Sequence, residues 1–144
     1  MTPRAPLPDD ADPEQPDRYG RTALHYAALD GDVPRIQELI RRGENPDSAD
    51  RQGFTPLHFA VQSGAVEGTD ALLNAGADPN AQNGWGNSAL LIAATTSRGE
   101  GRLIHLLRAA GADPYLTNNW GHSPLSVARR IANHDVKQFF SDLP

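Results

Sequence analysis

Short apolar clusters recur along the chain at an almost constant spacing. The glycine that begins each cluster returns after 33, 33 and 35 residues, at Gly20, Gly53, Gly86 and Gly121. Between the clusters a second phrase, a glycine followed three residues later by a proline, recurs at 43–46, 76–79 and 111–114. A period in this range is typical of stacked supersecondary units. The pattern therefore predicts a repeat protein.

Each unit is predicted to contain two short helices. A hydroxyl residue precedes each apolar cluster, where it can act as a helix N-cap; these are Thr22, Thr55, Ser88 and Ser123. Pro56 and Pro124 follow at the first helical position, where the missing N–H costs nothing. Apolar residues at helical spacing from Val33 to Ile40 predict the second helix of the first unit. The glycine of the second phrase is suited to the C′ position that ends such a helix.

Turn-forming segments join one predicted helix pair to the next. Each begins with Asp or Asn and ends at the recurring glycine, at 17–20, 50–53, 83–86 and 118–121. Such residues favour tight turns because they tolerate or stabilise the required backbone angles. We expect hairpin-like loops there. The predicted fold class is all-α.

Two signature phrases give the chain a family resemblance. Thr-Pro-Leu-His-x-Ala occupies 55–60 and Thr-Ala-Leu-His-Tyr-Ala occupies 22–27, while Gly-Ala-Asp-Pro occurs twice. The sequence thus resembles ankyrin-repeat proteins. The resemblance covers about four repeats, at 17–49, 50–82, 83–117 and 118–144. It implies an α-solenoid that binds proteins without catalysis, in which His25 and His58 hydrogen-bond to the preceding threonine and to neighbouring backbone.

The later repeats depart from this signature. Leu91 and Ser126 replace the histidine, and the third repeat carries two extra residues near Thr95, Thr96, Ser97 and Arg98. The fourth repeat has polar residues where an interior repeat would face a neighbour, as a capping repeat needs; these are Arg129, Arg130, Lys137 and Ser141. Gly68 lies inside a predicted helix and should weaken it by about 1 kcal/mol.

Charge is concentrated at the N-terminus. The chain has a net charge of −5, and residues 1–17 contribute −4 through five acidic residues against Arg4. Residues 1–16 are also rich in proline, so we expect them to form a flexible arm. Whether this arm contacts a partner is left open. The acidic balance argues against a nucleic-acid partner.

No membrane, export or redox signal is evident in the sequence. The longest apolar run, Ala89–Ala94, has six residues, and the N-terminus lacks the apolar core of a signal peptide. The chain has no cysteine, and twelve of its thirteen basic residues are arginine. We expect a cytoplasmic protein, and the arginine bias suggests a bacterial source.

Catalytic and metal-binding motifs are matched only superficially. Residues 84–89 fit Gly-x-Gly-x-x-Ala, but no strand precedes them, so a dinucleotide site is not expected. The serines at 88 and 123 lack the closing glycine of a nucleophile elbow. His105 in the third repeat and His122 and His134 in the fourth have no ligand spacing. No enzyme activity, cofactor or metal is predicted.

The candidate binding residues lie beside the recurring glycines. Those just before the glycine are Tyr19, Gln52, Trp85 and Trp120, and those just after it are Arg21, Phe54, Asn87 and His122. Arg18 and Arg51 would complete a polar rim. The resemblance implies that these positions line the concave face, and exposed rings beside arginine are typical of protein interfaces. Alternatively, each ring packs on the adjacent turn and stabilises the stack.

We therefore predict a protein-binding module that is monomeric when unbound. It would act as an adaptor or inhibitor, for example of an enzyme or toxin from the same cell. A second hypothesis is a reader of a methylated lysine or another small cation, with Trp85 and Trp120 as the walls of an aromatic cage. The inserted residues 95–98 would lie beside the same face, with a role in binding left open.

Overall fold

Helices and turns make up the whole of the described structure. The computed structural model describes residues 15–96, 101–130 and 134–144, and no β-strand occurs in these ranges. The helices are α1 (Ala23–Asp30), α2 (Val33–Arg41), α3 (Pro56–Gln62), α4 (Val66–Asn74), α5 (Ala89–Thr96), α6 (Arg102–Ala109), α7 (Pro124–Arg130) and α8 (His134–Lys137), followed by a 3-10 turn at Gln138–Phe140. Residues 1–14 of the predicted arm and 97–98 of the insertion lie outside the described residues.

The helices form two rows. In the inner row α1 packs on α3, α3 on α5, and α5 on α7. In the outer row α2 packs on α4 and α4 on α6, and the two helices of each pair contact each other. This arrangement confirms the predicted all-α solenoid of stacked helix pairs.

Helix starts follow the predicted capping residues. Pro56 and Pro124 begin α3 and α7, as expected from their fixed φ. The hydroxyls of Thr55, Ser88 and Ser123 accept the backbone N–H three residues later at 3.4, 3.2 and 3.0 Å. Each hydroxyl thus satisfies one of the N–H groups that a helix start leaves unpaired.

Leucines at one repeated position form the centre of the core. They are Leu24, Leu57, Leu90 and Leu125, and each is at most 4% exposed. Ile36, Leu72 and Ile104 oppose them from the outer helices and are fully buried. Burying one such side chain contributes about 1.5–3 kcal/mol. The core is therefore a continuous apolar layer between the two rows, as a repeat stack requires.

The C-terminal turn is fastened to the third repeat by Arg108. Its guanidinium donates to both carboxylate oxygens of Asp142 at 2.8 Å and to the Phe139 carbonyl at 2.9 Å. This pairing lowers the pKa of Asp142 and raises that of Arg108. The four polar residues predicted to cap the fourth repeat are all exposed.

Gly68 is buried inside α4, where that helix crosses the first repeat. A Cβ added there would lie 3.4 Å from Ile36 Cδ1 and 3.6 Å from Gly31 Cα. Both distances correspond to ordinary contact, and the glycine φ is not positive. The backbone therefore does not require glycine at this position.

We predict that Gly68→Ala stabilises the protein by about 0.5–1 kcal/mol, because alanine loses less backbone entropy in a helix. Urea unfolding followed by circular dichroism measures the change. A lower unfolding midpoint would mean that Ile36 cannot accommodate the added methyl group.

Candidate functional site

Four similar turns, one before each helix pair, are here named tips one to four. They comprise residues 17–21, 50–54, 83–87 and 118–122. In each, the first side chain accepts the backbone N–H groups of the residues two and four positions later, at 2.9–3.0 Å. The residues that do so are Asp17, Asp50, Asn83 and Asn118. Their identity indicated a turn in the sequence, but this shared bonding pattern was not predicted.

Successive tips are joined by main-chain hydrogen bonds. Arg51 N–H donates to the Tyr19 carbonyl at 2.9 Å, and Gly84 N–H donates to the Gln52 carbonyl at 2.8 Å. The same bond from Asn119 to the Trp85 carbonyl measures 3.0 Å. The residues before the tip glycines are therefore fixed by their own backbone, with one tip held against the next.

Two histidines tie the inner helices to the tips that follow them. His25 Nδ1 accepts the Thr22 N–H at 3.0 Å, and its Nε2 lies 2.8 Å from the Phe54 carbonyl. His58 repeats this with Thr55 at 2.9 Å and Asn87 at 3.1 Å. Because Nδ1 accepts, each neutral ring carries its proton on Nε2 and donates it to the carbonyl. The structural role implied by the family resemblance is confirmed.

The junction between the third and fourth repeats uses amides instead. Leu91 has no ring nitrogen to offer, and the contacts come from the fourth tip. Asn118 Nδ2 donates to Asn87 Oδ1 at 3.0 Å, and Asn119 Nδ2 donates to the Gly84 carbonyl at 3.1 Å. The loss of the histidine is thus compensated by side chains of the neighbouring tip.

The ten predicted binding residues form one row along the tips, here named the tip strip. It comprises Arg18, Tyr19, Arg21, Arg51, Gln52, Phe54, Trp85, Asn87, Trp120 and His122. The rings of Tyr19, Trp85 and Trp120 are 47%, 41% and 62% exposed. Arg18, Arg51 and Gln52 are also exposed, and the remaining four are half-buried. Every member of the strip therefore presents some surface to solvent.

Rings in the first three repeats contact one another. Phe54 lies 6.0 Å from Trp85 and stacks on Phe59 at 5.5 Å between ring centroids. The Arg21 guanidinium lies over both Tyr19 and Phe59, at 5.1 and 5.0 Å. Trp85 packs on the preceding tip, as the alternative interpretation expects, and its ring also stays partly exposed. Sequence reasoning missed Phe59, whose buried ring supports this cluster from α3.

The two tryptophans of the strip have different surroundings. Trp85 pairs with Phe54, and within the described chain no ring contact joins Trp85 to Trp120. At the fourth tip the nearest charged group to His122 is Arg130, whose Nη1 lies 3.1 Å from the imidazole Nδ1. Trp120 thus stands apart as the most exposed ring of the strip.

Both tip carboxylates are engaged. Asp50 is buried and accepts Arg21 Nε at 3.3 Å in addition to its two backbone donors. Asp17 accepts the Tyr26 hydroxyl through its second oxygen. Partial burial acts to raise the pKa of Asp17, but the Tyr26 and backbone hydrogen bonds outweigh it and lower that pKa. Asp50 is therefore withdrawn from the surface, whereas Asp17 remains exposed at the start of the strip.

Metal-binding clusters and membrane-spanning helices are absent from the described ranges. No group of three or more His, Asp or Glu side chains there could hold a metal ion. No helix in those ranges is long and apolar enough to cross a membrane. The inserted residues Thr95 and Thr96 end α5, and their hydroxyls donate to the Ile92 carbonyl.

We predict that the protein loses stability between pH 7 and pH 5. Burial lowers the pKa of His25 and of His58, more than their carbonyl contacts raise it. The unfolded rings bind protons near pH 6.5 and the folded rings only at lower pH, so stability is full above 6.5 and falls as pH drops. Urea unfolding at a series of pH values measures the slope, up to about 1.4 kcal/mol per pH unit for each ring.

Two variants test whether this pH dependence of stability arises from the buried histidines. His58→Gln keeps a donor for the Asn87 carbonyl but cannot titrate, so the slope should become shallower. His105 is exposed on α6, and His105→Gln should leave the slope unchanged. Equal slopes in the two variants would contradict the assignment.

We predict that Gly53→Ala destabilises the protein more than Gly121→Ala. Both glycines have a φ near +80°, which costs an alanine about 1–2 kcal/mol. A Cβ at Gly53 would also lie 2.7 Å from Gly84 N, whereas nothing lies within 4 Å at Gly121. Loss of the bond between tips adds about 1 kcal/mol. Urea unfolding compares the two, and equal losses would show that this contact adds little.

Comparison with known protein families gives one match. Residues 6–83, more than half of the chain, match the model for ankyrin repeats in three copies. A comparison with curated proteins found no match. The third and fourth tips lie beyond or at the end of the matched residues but repeat the same geometry. Ankyrin repeats are generally protein–protein interaction modules and typically non-catalytic. The chain belongs to the ankyrin-repeat family.

Proposed function

We propose that this chain binds a protein partner along the tip strip and performs no chemistry. The observation that carries the proposal is the row of exposed rings at Tyr19, Trp85 and Trp120. Their backbones are fixed by bonds within and between tips. A preformed surface loses little conformational entropy on binding. Exposed aromatic residues beside arginine have the composition of interface hot spots.

The proposal extends to an adaptor or inhibitor that is monomeric when unbound. The partner would be a protein of the same cell, such as an enzyme or toxin, and the setting would be the bacterial cytoplasm. The family supports the binding role, and the finer assignments rest on the composition of the chain. The cation-cage alternative has less support, because Trp85 pairs with Phe54 rather than with Trp120.

The test begins with the partner itself. The tagged chain is purified from its native cell at native expression levels, and the proteins that co-elute are identified. Binding of the purified partner is then measured by titration calorimetry. Recovery of the chain alone as a monomer would count against the proposal.

We predict that Trp85→Ala combined with Trp120→Ala weakens partner binding by about 2 kcal/mol or more, the magnitude of a hot spot. Helical content by circular dichroism should stay unchanged, because both side chains lie on turns outside the helical core. The measurement is the Kd of the purified partner.

An exposed ring outside the tip strip supplies the matched control. Tyr115 is 50% exposed and lies on the loop after α6, outside the tip strip. Tyr115→Ala should bind the partner as tightly as the parent chain does. Undiminished binding by the double variant, or an equal loss in Tyr115→Ala, would overturn the assignment of the tryptophans to the interface.

A further inference from the structure

The charge of the tips is opposite in sign to that of the chain. The chain carries a net charge of −5, whereas the twenty tip residues carry three arginines against Asp17 and Asp50. Both of those carboxylates are engaged, and Asp50 pairs with Arg21. Across the described residues, no carboxylate lies within ion-pairing distance of Arg18 or Arg51. With Asp50 paired to Arg21, the first two tips present the exposed guanidinium groups of Arg18 and Arg51 against the single carboxylate of Asp17, a net charge of +1.

The third and fourth tips present rings instead of this charge. Asn83 and Asn118 stand where Asp17 and Asp50 stand in the first two tips, with the same bonds to backbone. Neither tip contains an acidic or a lysine or arginine residue, although Arg130 lies beside the fourth tip. The exposed side chains are those of Trp85, Trp120 and the neutral Asn119. The strip thus has a cationic half followed by an aromatic half.

The distance between neighbouring tips determines how far apart the contacting residues of a bound peptide must lie. Packed helices lie about 8–10 Å apart, so neighbouring tips have a similar separation. An extended peptide in the polyproline II conformation advances about 3.1 Å per residue with three residues per turn, so every third side chain faces the same side, one for each tip. Four tips would be covered by about ten residues.

We propose that the occupant of the tip strip is an extended acidic segment of the partner protein. Its carboxylates lie opposite Arg18 and Arg51, three residues apart. Its apolar or aromatic side chains lie three and six residues further on, opposite Trp85 and Trp120. Opposite charge would steer this segment to the cationic half and fix its register. The inference rests on the proposed function and names the chemistry of the partner.

Peptide selection tests this chemistry without knowledge of the partner. A displayed library of random peptides of about twelve residues is selected on the full chain, and each selected peptide is then tested for binding to the Trp85→Ala, Trp120→Ala variant. The selected peptides should carry Asp or Glu, with Trp, Phe or Leu three to six residues away on either side. Their affinities are measured by fluorescence anisotropy.

Charge reversal provides the decisive variant and its control. Arg18→Glu with Arg51→Glu should weaken binding at least tenfold, and raising the salt concentration should weaken binding to the parent chain. Arg41 and Lys137 are exposed elsewhere, and Arg41→Glu with Lys137→Glu makes the same charge change. This control should bind within about twofold of the parent chain.

The outcomes separate the two proposals. Basic or uncharged selected peptides, or full affinity in Arg18→Glu with Arg51→Glu, would overturn the acidic segment while leaving tip-strip binding intact. Peptides that also bind the double-tryptophan variant undiminished would overturn the proposed function itself. If no selected peptide binds with a Kd below about 100 µM, the proposal that the partner offers a linear segment would be overturned.

The acidic N-terminal residues of the chain are the competing occupant. A full-length variant with Asp9, Asp10, Asp12 and Glu14 changed to amides should bind the selected peptides as the parent chain does. A tenfold rise in affinity would assign the strip to those residues and overturn the proposal of an external segment.

Discussion

The stack depends on one repeated constraint, the close main-chain contact between neighbouring tips. One main-chain hydrogen bond of 2.8–3.0 Å joins each tip to the next. At this distance there is no room for a side chain on the glycine of the earlier tip. His25 and His58 add a second tie from each inner helix to the carbonyl of the following tip. Helix packing brings the repeats together, while these bonds fix their spacing and direct the exposed rings to one side.

Much of the fold was readable from local sequence, because capping and turn signals act over a few residues. Thr55, Pro56 and the repeated glycines predicted where helices begin and end. The tip strip was predicted in position but not in its contacts. Arg21 pairs with Asp50, 29 residues away, and stacks on Phe59, so its surroundings depend on how two repeats meet. No local pattern encodes such a meeting, which is also why the exposure of Trp120 needed the structure.

The two kinds of junction give the ends of the strip different characters. Histidine hydrogen bonds join the first three repeats, and protonation of these rings makes the stability of this part of the array depend on pH. Amide links between Asn118 and Asn87 and between Asn119 and Gly84 join the last two, and amides do not titrate. The repeats that lack the histidine are also those whose tips carry tryptophan.

The third tip also bears on the chemical ageing of the protein. Asn83–Gly84 is the dipeptide most prone to deamidation, a reaction in which the glycine nitrogen attacks the asparagine carboxamide. In the folded tip that nitrogen donates to Gln52, and the carboxamide oxygen accepts two N–H groups. Ring closure therefore requires the tip to open first. Closure expels ammonia and forms a succinimide, which hydrolyses to aspartate, which would keep the oxygens that Asp50 uses in its own tip, or to isoaspartate, which would displace them.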